Sequence, residues 1–183
     1  MDVVIEVTTR DELRRLEKTL LDRGFRQDRT EGAPICRWLV DGVPVDIMPT
    51  AGDLLGFGNR WYEPGIRGCA RIEVEPGLTI RILTAPYFLA TKLEAFRGRG
   101  AGDVRASHDL EDVVALVDGR PELAREVEAS SPELRQFLAD ECTALLADPD
   151  FADAVRGHLL PDAASQARWG GVMDVLNRLA LRG

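Results

Sequence analysis

Lysine is nearly absent from this chain: Lys18 and Lys92 stand against twenty-one arginines. Histidine is as scarce, and His108 and His158 are too few for a histidine-rich metal site. The three cysteines, Cys36, Cys69 and Cys142, are widely spaced and form no CxxC pair. That excludes a zinc ribbon and a disulfide framework, and predicts reduced, mostly buried thiols in a cytoplasmic protein. No apolar run approaches the ~20 residues of a membrane span, so no membrane partner is expected. The first residues run straight into VVIEV with no basic segment, so no secretory leader is expected. Positive charge is in deficit as well. The net charge of −8 and pI of about 4.9 exclude a uniformly basic nucleic-acid-binding surface. A local basic patch around Arg97, Arg99 and Arg105 remains open. There is no internal repeat and no low-complexity segment.

What is present is enough for a packed core. With 45% apolar residues over 183 positions, the chain is one domain, or one domain with a helical extension. DVVIEV (2–7) alternates as a strand, with Val3, Ile5 and Val7 on one face and Asp2, Val4 and Glu6 on the other. Thr8 or Thr9 can cap a helix whose stripe is Leu13, Leu16, Leu20 and Leu21, ended by Gly24. Phe25 to Arg29 reads as a short strand. ICRWLV (35–40) and VPVDIMP (43–49) read as strands joined by Asp41-Gly42, the strongest hairpin signal in the chain. The Gly-rich stretch 50–65 reads as irregular, with Phe57, Trp61 and Tyr62 tucked inward. Strands near 69–75 and 78–83 flank Pro76-Gly77, and helices follow near 85–97, 107–118, 121–129, 132–147, 149–157 and 168–181. Pro121, Pro132 and Pro161 fit helix boundaries. The expected class is α+β: a mixed β-sheet core over 1–84, then a helical region over 85–183 packed on it.

Chemistry gathers at a few positions. Asp46 lies in an otherwise apolar strand, where an unpaired buried carboxylate costs several kcal/mol and so needs a cation, a metal or strong donors. Asp2 opens another strand and can approach it. Two strand carboxylates converging on one point suit Mg²⁺ ions in phosphoryl chemistry. Against this stands the plainer reading that Asp46 caps a turn or pairs with Arg37. Lys92 lies at the margin of the stripe formed by Phe88, Leu89, Leu93 and Phe96, where a lysine can reach a triphosphate or simply be solvated. Ser107 suits an N-cap, which explains Asp109 through the helix dipole and explains Asp112 less well. His108 reads as a surface or capping residue. RGRGAGD (97–103) lacks P-loop spacing, and reads as a loop whose Arg97 and Arg99 can touch phosphates.

Together, ATKLEAF…RG…D…HDLED downstream of the VDIMP strand resembles the nucleotidyltransferase AbiEii/AbiGii toxin family. That group has the minimal nucleotidyltransferase, DNA polymerase β-like fold, and the resemblance covers roughly residues 2 to 120. Family members usually carry a Gly-Gly or Gly-Ser turn before an Asp-x-Asp pair. Here Asp2 would match the second Asp of that pair, and the first Asp and the glycine turn have no counterpart. The resemblance implies that Asp2 and Asp46 hold metal and, with Lys92, are catalytic. It implies that Lys92, Arg97, Arg99, Asp109 and Asp112 serve nucleotide binding. The implied activity is Mg²⁺-dependent transfer of a nucleotide monophosphate from an NTP to RNA, such as a tRNA 3′ end, or to another hydroxyl. A small hydroxyl acceptor fits the acidic charge. The alternative is a catalytically degenerate binding module that engages a partner protein, such as an antitoxin. Apolar surface left on the first strand would favour a homo-oligomer.

Overall fold

The computed structural model describes residues 1–99 and 103–181. The protein is α+β: a four-stranded mixed sheet and a two-stranded sheet, followed by a C-terminal helical region. By contact density the chain divides into Met1–Arg67 and Gly68–Gly183. The strands at 70–82 fall within the second of these units.

In the first unit, β1 (Asp2–Ile5) leads into α1 (Arg10–Asp22). Thr9 and Glu12 form a reciprocal capping box: the Thr9 hydroxyl accepts from the Glu12 amide at 3.2 Å, and the Glu12 carboxylate accepts from the Thr9 amide at 3.1 Å. Gly24, at φ +86°, releases the chain after the helix. Then come β2 (Arg26–Gln27), β3 (Arg37–Val40) and β4 (Val43–Pro49). Asp41 and Gly42 both take positive φ, +49° and +79°, as a two-residue hairpin turn requires. The sheet order is β1-β4-β3-β2, with β1 parallel to β4 and the other pairings antiparallel. The strand alternation is the one expected. Val45 and Ile47 are buried and pack with Leu20 and Trp38, supported by Ile5, Leu16, Phe25 and Val40. Asp46 and Met48 lie on the opposite face, half-buried.

Two readings of the segment after β4 change. A short helix, α2 (Tyr62–Arg67), forms where an irregular stretch was expected, despite its internal Pro-Gly. Trp61 and Tyr62 are buried, but Phe57 is 42% exposed. The loop before α2 folds back on itself so tightly that a Cβ on Gly58 would lie 2.5 Å from the Gly52 Cα. Phe57, next to that crossing, is turned outward.

The second unit opens with a hairpin, β5 (Ala70–Glu75) and β6 (Leu78–Ile82). It continues with α3 (Ala85–Gly98), α4 (His108–Gly119), α5 (Leu123–Glu128), α6 (Pro132–Ala147), α7 (Phe151–His158), α8 (Ala163–Ala167) and α9 (Trp169–Ala180). The single turn α8 is an addition to the helices expected. Leu89, Leu93, Leu110, Val114, Leu138 and Leu176 are at most 1% exposed and form the centre of a core shared by α3, α4, α6 and α9. Of the expected Gly/Arg loop at 97–103, residues 100–102 lie outside the described residues. No helix among the described residues is long and apolar enough to cross a membrane.

Candidate functional site

The parallel pairing of β1 with β4 sets Asp2 directly beside Asp46, on one rung and one face of the sheet. Their apolar neighbours Val3 and Ile47 share the next rung. So the two strand carboxylates singled out as catalytic and metal-binding are brought together, by register rather than by a loop.

A third residue joins the same rung from the other side. In the β3–β4 hairpin Arg37 is the register partner of Asp46. Its Nε donates to Asp46 Oδ1 at 2.7 Å and its Nη2 donates to Oδ2 at 2.8 Å, a bidentate fork. The Asp46 side chain is only 19% exposed, so the pair is sheltered. The Arg37 guanidinium therefore holds the Asp46 carboxyl below the usual aspartate range. The same carboxylate helps push the neighbouring Cys36 thiol up, secondary to burial. The pairing of Arg37 is readable from the hairpin, because both residues stand four positions from the Asp41-Gly42 turn.

The metal implied by the family resemblance calls for hard oxygen donors. Asp2 and Asp46 are of that type and share a rung, so the donors fit in kind. Both Asp46 oxygens already accept from Arg37, so a cation at this pair shares the carboxylate with the guanidinium or competes with it. Among the described residues no three His, Cys, Asp or Glu side chains converge as a ready ligand set. On the apolar face of the sheet a cleft of about 210 Å³ is lined by Leu16, Leu20, Cys36, Trp38 and Ile47, and neither carboxylate borders it.

In the helical unit every candidate cation has an acidic partner. Lys92 on α3 meets Asp112 on α4 at 2.6 Å, with its ammonium 5.6 Å from the centre of the Phe88 ring. The Lys92 side chain is 16% exposed, so it is a sheltered lysine rather than a solvated one. Arg99 reaches Asp109 at 2.6 Å, and Asp109 is a buried carboxylate in the first turn of α4. Ser107 caps that helix as expected, accepting from the Leu110 amide at 3.3 Å. Arg97 pairs with Glu141 of α6 at 2.8 Å, a partner the sequence did not suggest. Arg99 and Asp109 border a cleft of about 250 Å³ with Phe96, Asp103, Ser107 and His108. His108 is 93% exposed, a surface residue as expected.

Thus Asp2 and Asp46 share a rung in the sheet unit, while Lys92 with Asp112 and Arg99 with Asp109 meet in the helical unit. In chemical terms the first group is a carboxylate pair with a resident guanidinium. The second is a set of cations, each paired with an acid. The sequence matches no protein-family model, and comparison with curated proteins finds no significant match.

Proposed function

We propose that this protein is a nucleotidyltransferase-like protein of the AbiEii/AbiGii toxin type, in which Asp2 and Asp46 form the acidic pair. The observation that carries this reading is the alignment of the two carboxylates on one rung of the parallel β1–β4 pair. Asp2 and Asp46 would hold Mg²⁺, which when bound neutralises phosphate charge. The chain's own residues do the rest. β1 and β4 fix the separation of the carboxylates. Arg37 keeps Asp46 ionised and oriented while no cation is present. Within the helical unit, Lys92 would bind phosphate oxygens in place of Asp112 as a compact point charge. The reaction is transfer of a nucleotide monophosphate from an NTP to an RNA 3′ end or a smaller hydroxyl, with pyrophosphate leaving. The three cysteines, all free thiols, support a cytoplasmic setting.

The test is a transfer assay with α-phosphate-labelled NTPs against tRNA and small hydroxyl acceptors, in the wild type and Asp46→Asn. Label on an acceptor that the variant cannot make supports the reading. Label transferred equally by both, or by neither, sinks it.

A second reading has its own observation. Because Arg37 already neutralises Asp46 through a two-point fork, the pair is self-sufficient without a cation, as in a catalytically degenerate binding module for a partner protein such as an antitoxin. Under that reading Asp46→Lys abolishes no catalytic effect, because there is none, and leaves partner binding intact.

A further inference from the structure

The β5–β6 hairpin presents one apolar face and one charged face. Ala70 pairs with Ile82 and Ile72 with Ile80 on one side, and Arg71 pairs with Arg81 and Glu73 with Thr79 on the other. Ile72, Ile80 and Ile82 are each about two-fifths exposed, at 41%, 41% and 39%. Among the described residues neither strand pairs beyond the hairpin, so the sheet has two open edges. An isolated two-stranded ribbon is marginal in water, and an open apolar edge invites a further strand.

The charges say which strand fits. Arg71 stands opposite Arg81, a like-charge cross-strand pair that costs stability. Glu73 lies two residues along β5 on the same face. Place a second copy of β5 antiparallel against the first, about a two-fold axis at Ile72. Arg71 then faces the partner's Glu73, and Glu73 faces the partner's Arg71. Two opposite-charge pairs form by symmetry, with Ile72 against the partner's Ile72 on the apolar side. The outer edge of β6 offers no such match, because the same operation about Ile80 sets Arg81 against Thr79. The register shift between Glu73 and Glu75 bends β5 beyond that segment and confines pairing to its first part.

We infer that β5 is an isologous dimerisation edge, joining two copies of this chain into a four-stranded antiparallel sheet β6-β5-β5-β6 through reciprocal Arg71–Glu73 pairs. The inference does not rest on the nucleotidyltransferase reading.

The test is sedimentation velocity on the full chain over a dilution series. The wild type dimerises reversibly. R71E sets Glu against Glu twice, and E73R sets Arg against Arg twice, so each weakens the dimer at least about tenfold, or ~1.4 kcal/mol. An equimolar mixture of R71E and E73R regains wild-type association, because every cross-strand pair is then of opposite sign. Two misfolded variants cannot rescue each other, so the mixture separates lost pairing from lost structure. A wild type that stays monomeric at every concentration overturns the inference. So does a dimer that both variants leave intact, or a mixture of folded variants that fails to associate.

Discussion

The sheet unit and the helical unit neutralise charge in different ways. In the sheet, Arg37 and Asp46 are neighbours across one hairpin, held by a planar, two-point fork. That pair forms whenever the hairpin forms. In the helical unit, Lys92, Arg97 and Arg99 on or just after α3 find acids on α4 and α6. Those pairs exist only while the helices pack. The first arrangement is a local device, and the second reports tertiary structure. Under the proposed function their ligand responses would differ accordingly: displacing Arg37 would free a carboxylate for a cation, whereas displacing Asp112 would free a cation for an anion.

The largest effect that separates the units is a core truncation. Leu138 on α6 is fully buried, so Leu138→Ala costs roughly 3 kcal/mol and loosens the packing on which the α3 ion pairs depend. Val45 is 3% exposed in the smaller sheet core, and Val45→Ala costs roughly 2 kcal/mol while sparing those pairs. Urea denaturation of the two variants checks the order, and a Val45 loss as large as the Leu138 loss would contradict it.

Next in size is nucleotide affinity. Removing the lysine charge in Lys92→Met should weaken NTP binding about tenfold, ~1.4 kcal/mol, whereas Asp112→Asn should leave it equal or tighter by removing the competing acid. Isothermal titration of both variants decides this. Equal losses would mean that the pair matters for packing and not for phosphate.

Acid stability tests the sheet device. Because the native pKa of Asp46 is lowered, its contribution is complete above the ordinary aspartate value of 3.8. It disappears as the pH falls below that value and through the lowered native one. Stability of the wild type should therefore fall on that acid limb, and Asp46→Asn should flatten it. Glu12 and Asp28, also lowered, leave a residual slope. An unchanged limb in the variant would remove Asp46 from the account.

The smallest effect is a labelling order. Burial pushes the Cys142 thiol up to about 12 and raises Cys36 as well, whereas Cys69 is only half-buried at the start of the hairpin. Alkylation of the native protein should modify Cys69 first and Cys142 only on unfolding. Early loss of Cys142 in a mass spectrum would contradict the packing of α6.

What could be read from the sequence follows the range of the interactions involved. The Asp41-Gly42 hairpin, the capped α1 and the longer helices are set by residues a few positions apart, and they lie where periodicity places them. The Arg37–Asp46 pair was equally local, being symmetric about the turn. The α2 helix was hidden by its Pro-Gly, and α8 is a single turn with too few residues to show a period. Asp2 and Asp46 were each visible as strand carboxylates, but their shared rung depends on a parallel crossover whose register no local motif states. The Lys92–Asp112 and Arg97–Glu141 pairs depend on how α3 turns against α4 and α6, which apolar spacing alone does not define. Phe57 was misread because large aromatics usually seek the core, whereas the tight Gly52–Gly58 crossing leaves it outside.

Under the proposed function Asp2 and Asp46 form a cation-dependent nucleotide site that Arg37 guards. Calorimetric titration of NTP with and without Mg²⁺, in the wild type, Asp46→Asn and Arg37→Gln, tests it most directly. Mg²⁺-dependent binding is expected in the wild type, its loss in Asp46→Asn, and retained or tighter binding in Arg37→Gln, where Asp46 is released. Binding indifferent to Mg²⁺, or unchanged in Asp46→Asn, would contradict it.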